Sequence, residues 1–131
     1  METAYIDIPT KKWGILLIYD FDMLDWDDMS AIMQSFGMPL RRVQHAIRVL
    51  STYNSGLAIS NDDLRMSAIF IGKPTSNAQW WNSLAHECKH VVDAIISYYD
   101  EPNDGESAAY LQGYIFQKIV EEIAEPCKQA F

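Results

Sequence analysis

The sequence predicts one α+β domain, in which a small sheet of about three strands packs against two long helices near its end. Short apolar runs typical of strands and longer segments with helical periodicity both occur along the 131 residues. No internal repeat and no linker rich in Gly, Ser or Pro divides them. With 49% hydrophobic and 12% aromatic residues, the chain has enough apolar material for a core. We therefore expect residues 1–131 to form a single domain.

The first half of the chain predicts one strand and two helices. Residues 12–19 are largely β-branched, aliphatic and aromatic, which indicates a buried strand. Residues 23–36 carry apolar side chains at helical intervals, and Gly37 ends that helix. Pro39 then opens a second helix over Leu40–Leu50.

The middle of the chain predicts a β-hairpin. Residues 57–59 and Met66–Ile71 have the composition of strands, and the acidic, turn-forming residues 61–63 lie between them. The Met66–Ile71 strand therefore comes directly before the third helix.

Two helices complete the domain. Ser76 and Gln79 match the S-x-x-Q capping box that begins a helix, which we expect to run to about Tyr98. A fourth helix is predicted over residues 106–125, ended by Pro126. The third helix has one apolar side and a second, polar stripe formed by His86, His90, Asp93 and Ser97.

Charge and composition restrict the partners. The formal net charge of -8 should repel nucleic acid and anionic membrane surfaces. No apolar run approaches the roughly 20 residues that a membrane-spanning helix needs, and we find no convincing signal peptide. The two cysteines, Cys88 and Cys127, lack the spacing of a thiolate metal site or redox centre. We therefore expect a cytoplasmic protein whose oligomeric state the sequence does not reveal.

Residues 86–90 read His-Glu-Cys-Lys-His, an H-E-x-x-H motif inside the predicted third helix. Four residues are just over one helical turn, so the His86 and His90 imidazoles project from one face and can hold one ion. Glu87 lies beside them, in position to act as general base toward a water molecule. The motif therefore predicts a zinc site. The alternative is that these side chains only decorate a solvated helix face, but the neighbouring Trp80 and Trp81 favour a partly covered groove.

A catalytic zinc normally has three protein ligands, so a third must come from elsewhere in the chain. Glu106 is the favoured candidate, because the turn after the third helix allows the fourth helix to fold back, and Ala108, Ala109 and Gly113 would permit close approach. The alternative for Glu106 is a capping box with Asn103 that merely closes the helix start.

An H-E-x-x-H helix followed by a glutamate helix resembles the gluzincin branch of the zincin metallopeptidases, over about residues 76–125. The resemblance implies a water activated by zinc and by Glu87 that attacks a peptide carbonyl. It also suggests that the strand Met66–Ile71 is the edge strand that holds an extended substrate. Gly105 and Tyr110 depart from the residues that larger members carry around the glutamate. In this respect the chain resembles small zincin-like proteins of bacteria and their phages.

Three further residues have weaker assignments. Tyr110 lies one turn beyond Glu106, so its hydroxyl could orient a ligand or stabilise an oxyanion, or it could simply pack in the core. Asp93 could orient an imidazole, although an exposed helix acid explains it too. Cys88 points away from His86 and is expected in the core.

Two functions follow. The first is a zinc-dependent metallopeptidase that hydrolyses a peptide or protein substrate, with Glu87 and Tyr110 in the chemistry and His86, His90 and Glu106 on the metal. The second is a catalytically inactive zincin-like module for metal binding or interaction, because a chain of this size leaves little material for a second lobe that closes over a substrate.

Overall fold

Four strands form one mixed sheet in the computed structural model, which describes residues 1–123. In chain order they are β1 (Glu2–Ile8), β2 (Trp13–Tyr19), β3 (Gly56–Asn61) and β4 (Met66–Ile71). Their spatial order is β1-β2-β4-β3; β2 and β4 are parallel, and the other two neighbouring pairs are antiparallel. The edges of the sheet are therefore β1 and β3.

The α+β class is confirmed, but the sheet has four strands instead of about three. The missing strand is β1, which pairs along its whole length with β2. Ile6 and Ile8 are buried while Tyr5 and Asp7 are exposed, which is the alternation of a strand with one covered face. That alternation was present in the sequence and was missed. The predicted hairpin is confirmed, with its first strand extended to β3.

In the described residues, four α-helices accompany the sheet: α1 (Trp26–Ser35), α2 (Leu40–Leu50), α3 (Asn77–Tyr98) and α4 (Glu106–Glu122). The helix predicted over residues 23–36 begins with a short 3-10 turn before α1. Pro126, the predicted end of α4, lies outside the described residues. No helix in the described part of the chain is long and apolar enough to cross a membrane.

Helices cover both faces of the sheet and create two cores. Side chains alternate along β2, so Ile15 and Leu17 face α3 and α4, whereas Leu16 and Ile18 face α1 and α2. The α3 face is closed by that helix's apolar stripe, formed by Leu84, Cys88, Val91, Val92 and Ile95. Burial of this stripe fixes the rotation of α3 and so decides where the H-E-x-x-H residues lie.

Candidate metal site

The helix α3 carries the motif and begins at a well-formed cap. The Ser76 hydroxyl accepts a hydrogen bond of 3.1 Å from the backbone N–H of Gln79, which is the Ser76 half of the predicted capping box. The helix then continues without a break for 22 residues. Both histidines therefore lie in regular helix, one turn apart.

The motif residues converge at one point on the surface. The Nε2 atoms of His86 and His90 are 3.3 Å apart, and the His86 Nε2 lies 3.8 Å from the Glu87 Oε1. One donor atom from each of these three side chains lies within 4.8 Å of the other two. Within residues 1–123 this is the one group of His, Cys, Asp and Glu with such spacing.

The separation of the two imidazole nitrogens fits zinc. Two ligands about 2.05 Å from a tetrahedral ion lie about 3.3–3.4 Å from each other, which matches the observed 3.3 Å. The same distance is also compatible with a weak hydrogen bond from the N–H of one ring to the bare nitrogen of the other. Both arrangements need one neutral imidazole at least, and the donor set suits a borderline-soft ion such as zinc.

The histidines are on the surface, so the predicted covered groove is wrong. The side chain of His86 is 69% exposed, and His90 is exposed as well. The two tryptophans expected to flank them turn away, because Trp80 packs edge-on against Tyr19 and Trp81 packs against Phe116 of α4. Their large apolar surfaces are buried on the sheet side and the α4 side of α3.

Glu87 differs from the histidines because it is buried, with 5% of its surface exposed. Its stem lies against Gly56 at the start of β3: a Cβ atom added to Gly56 would be 2.9 Å from the Glu87 Cγ and 3.2 Å from its Cδ. Burial raises the pKa of this carboxyl, and the two nearby imidazoles lower it by a smaller amount. A carboxylate with a raised pKa is a stronger base, which suits proton abstraction.

The strand beside the site is β3, which corrects the prediction that Met66–Ile71 is the edge strand. That segment is β4, which lies inside the sheet between β2 and β3. Within residues 1–123, β3 pairs only with β4, so no described strand pairs with its other edge. The close approach of Gly56 to Glu87 places the motif next to this open edge. Sequence reasoning assigned Gly56 to a turn and could not reveal this contact, because it joins residues 31 positions apart in the sequence.

Glu106 and Tyr110 lie elsewhere. The helix α4 packs over β1 and against the flank of α3 that carries Trp81, whose ring centroid is 5.6 Å from that of Phe116. At about 100° per residue, Trp81 is rotated about 120° around α3 from Glu87. The structure therefore does not bring Glu106 into the group formed by the histidines and Glu87.

Glu106 instead lines a groove of about 870 Å³ with Lys11, Ile96, Glu101 and Tyr110. Within the described residues its side chain makes no hydrogen bond or ion pair. The alternative, a capping box with Asn103, is not formed either; the side chain of Asp104 accepts a hydrogen bond of 3.0 Å from the N–H of Ser107.

The sequence expectations for the rest of α4 need correction as well. Tyr110 is 73% exposed, so it does not pack in the core, and it lines the same groove as Glu106. Of the three small residues expected to allow close helix packing, Ala108 is buried in the core beside α3 residues, whereas Ala109 is exposed and Gly113 has open space where a side chain would lie. Besides Ala108, the buried residues of α4 are Leu111, Ile115 and Ile119.

The two remaining assignments are resolved by their contacts. The Asp93 carboxylate accepts hydrogen bonds from Lys89 and Asn103, and it is not bonded to an imidazole. Cys88 is fully buried in the core, as predicted, and burial raises the pKa of its thiol to about 12. Such a thiol is neutral at physiological pH and is a poor metal ligand.

Comparison of the sequence with protein-family models and with curated proteins finds no match, and comparison of the fold with solved structures finds none either. The resemblance to gluzincins therefore remains a prediction that depends on the motif.

Proposed function

We propose that this protein is a zinc-dependent peptidase whose site lies on the β3 side of α3. One observation carries the proposal: two imidazole nitrogens 3.3 Å apart stand beside a buried carboxylate, in the order that the H-E-x-x-H motif specifies. His86 and His90 would hold the zinc ion. Bound there, zinc would supply a Lewis acid that polarises the carbonyl group of a peptide.

Glu87 would take the proton from the attacking water. Its packing against Gly56 limits the positions open to the carboxylate, and its Oε1 atom lies 3.8 Å from the His86 Nε2. A base held in place loses less entropy on reaching the reactive geometry than a mobile one. The carboxylate would later return this proton to the leaving amine.

The open edge of β3 supports a peptide as the substrate. An extended peptide pairs with an exposed strand edge through backbone hydrogen bonds, whatever its side chains are. Gly56 starts this strand and contacts the general base directly. A peptide lying along β3 would therefore pass close to the Glu87 carboxylate.

A second candidate is a metal-binding module without turnover, and one observation favours it. Glu87 is the carboxylate that joins the two histidines within residues 1–123, and Glu106 is on the other flank. A zinc site normally takes at least three protein ligands, so Glu87 would then complete the ligand set. A glutamate used as a ligand no longer serves as the base.

Glu87→Gln distinguishes the two candidates, with Glu121→Gln on α4 as an exposed control. If Glu87 is the base, the variant keeps its zinc affinity and loses at least about a hundredfold in hydrolysis of a diverse peptide library. If Glu87 is a ligand, the variant loses zinc, measured by elemental analysis and competition with a chelator. Wild-type protein that holds stoichiometric zinc and cleaves nothing in the library would favour the module.

A further inference from the structure

The groove that Glu106 lines has the features of a binding site. It is lined by α4, the end of α3 and the short turn between β1 and β2, and its volume is about 870 Å³. Ile96 and Leu111, which are both nearly buried, contribute apolar surface to it. Ligand sites are typically concave and mostly apolar, with a few polar groups and volumes of about 300–1,000 Å³. The groove therefore matches the size and the lining of such a site.

One wall of the groove is held in place by two contacts of Lys11. The Lys11 ammonium donates a hydrogen bond of 2.5 Å to the Glu101 carboxylate, and the Tyr99 hydroxyl donates one to the Lys11 carbonyl. These contacts join the turn between β1 and β2 to the residues that follow α3. A preformed site loses less conformational entropy on binding than a mobile one. The ion pair also offsets the repulsion between Lys11 and a positively charged ligand.

The α4 wall presents a carboxylate and two tyrosine rings in a row. Glu106, Tyr110 and Tyr114 line the groove at successive turns of the helix, each about 6 Å from the next along the axis. Tyr110 is exposed, and its hydroxyl makes no hydrogen bond within residues 1–123. Gly113, which also lines the groove, leaves open space where a side chain would lie. The row is therefore accessible to a ligand.

The charges around the groove favour a cationic ligand. Four acids lie close together in the sequence, namely Asp100, Glu101, Asp104 and Glu106. The two lysines of the turn between β1 and β2 oppose them, but Lys11 already pairs with Glu101. The net charge of -8 adds long-range attraction for cations and repulsion for anions. Charge complementarity therefore favours a cationic group at Glu106, with apolar groups beside the tyrosines.

The spacing of the three side chains on α4 fits an extended peptide. In an extended chain, alternate residues point to the same side and lie about 6.5–7 Å apart, close to the roughly 6 Å between successive turns of α4. The first of three alternate residues would meet Glu106, and the next two would meet Tyr110 and Tyr114. A small organic cation would contact the carboxylate and one ring, and it would leave most of the groove unfilled.

We propose that the groove binds an extended segment of a partner protein, in which an arginine or lysine is followed by apolar residues at alternate positions. The cation pairs with the Glu106 carboxylate, and the apolar side chains pack on the rings of Tyr110 and Tyr114. Tyrosine is enriched at protein interfaces because its ring gives a large contact area. The inference does not depend on the proposed peptidase activity, since neither histidine of the metal site lines the groove.

Fluorescence anisotropy of a labelled peptide tests the proposal, with the full chain titrated to about 500 μM. The probe is Arg-Ser-Leu-Ser-Leu with capped ends. One control peptide has Glu in place of Arg, and another, Arg-Leu-Leu-Ser-Ser, keeps the composition but places its leucines on opposite sides of an extended chain. Each control should bind at least about tenfold more weakly. Mass spectrometry of the recovered probe ensures that cleavage is not mistaken for weak binding.

Variants of α4 test which residues make the contacts. Glu106→Lys should weaken binding at least about tenfold, whereas Glu122→Lys makes the same charge change at the exposed end of α4 and should stay within about twofold of wild type. Tyr110→Ala should weaken binding about fivefold, and Tyr110→Phe should restore it because the ring is kept. A lysine at the start of a helix opposes its dipole, so the milder Glu106→Gln is measured alongside, with thermal melting to check the fold.

Gly113→Leu closes the groove without removing any contact group. Its side chain enters the open space beside the tyrosines, and leucine favours a helix more than glycine does, so the variant should stay folded and lose at least about tenfold in affinity. A wild-type chain that does not bind the probe overturns the proposal, and so do equal affinities for the probe and Arg-Leu-Leu-Ser-Ser. Spermidine that displaces the probe at the probe's own dissociation constant would assign the groove to a free organic cation instead. Sedimentation of a dimer that Tyr110→Ala dissociates would assign it to a second copy.

Discussion

The two flanks of α3 contain the two halves of the site that the sequence predicted, and they differ in how they are built. On the β3 flank, His86, Glu87 and His90 converge within 4.8 Å, and Glu87 is buried against Gly56. On the α4 flank, Glu106 lies in an open groove without a side-chain partner in the described residues. One half is assembled and the other is not.

The two flanks differ because one is determined by the local sequence of a helix and the other by tertiary packing. The two histidines are brought together by helix geometry alone, since positions i and i+4 share a face, and Glu87 directly follows His86 in the sequence. The position of Glu106 depends instead on which flank of α3 receives α4. That choice is made by apolar packing, in which Phe116 meets Trp81 and α4 also covers β1. Spacing along the chain does not reveal it.

The largest expected effect is the loss of zinc affinity when either histidine on the β3 flank is replaced. His86→Ala and His90→Ala should each weaken zinc binding more than about a hundredfold, because even partners outside the ligand shell contribute 10–100-fold. Competition with a chelating dye measures the affinity. His45→Ala, on the exposed side of α2, is the matched control and should bind zinc like the wild type.

Retention of wild-type zinc affinity by either histidine variant would contradict the metal site. The short distance between the two rings would then reflect only a hydrogen bond between them. In that case, both variants should behave as surface substitutions, with changes in the free energy of unfolding within about 0.5 kcal/mol.

The sequence predicted most of the elements of the fold but fewer of the contacts between them. The bounds of α2 and the start of α3 were predicted correctly, because Pro39 and the Ser76 cap act locally. The strand β1 was missed, since its alternation is short and becomes decisive only when β2 pairs with it. For the site, helical periodicity predicted that His86 and His90 lie side by side. The exposure of their rings and the position of β3 at the edge of the sheet depend on long-range packing, which periodicity does not reveal.

Gly56→Ala tests how firmly the general base is held. The new Cβ would lie 2.9 Å from the Glu87 Cγ and 3.2 Å from its Cδ, so the buried carboxylate must move. Overpacking of this kind costs about 1–3 kcal/mol in the free energy of unfolding, measured by urea denaturation. Hydrolysis should fall further than zinc affinity, because the histidines are unaffected. An unchanged stability would show that Glu87 is loosely packed.

Gly113→Ala, on the α4 flank, is the matched control for Gly56→Ala, and it should change the free energy of unfolding in the opposite direction. Gly113 lies inside a helix, and a side chain added there meets open space. Alanine should raise the free energy of unfolding by about 0.5–1 kcal/mol, because it restricts the unfolded chain and favours the helix. Zinc affinity should not change. A destabilised variant in the same urea titration would mean that α4 packs more closely than its surface indicates.

The smallest expected effect is that of Glu106→Gln, and it tests the comparison of the two flanks directly. The sequence favoured Glu106 as the third zinc ligand, which predicts a large loss of affinity. The structure leaves its carboxylate in the groove beside Lys11 and Glu101, apart from the two histidines, so we expect zinc affinity within about twofold of wild type. Stability should fall by only a few tenths of a kcal/mol, since the charge at the start of α4 interacts with the helix dipole and is exposed. Calorimetric zinc titration measures the zinc affinity of the variant, and urea denaturation measures its free energy of unfolding. Glu121→Gln, which changes another exposed glutamate of α4, is the reference in both measurements. A loss of more than about tenfold that is specific to Glu106→Gln would mean that metal binding draws the start of α4 to the β3 flank, and that the site is completed only when zinc is present.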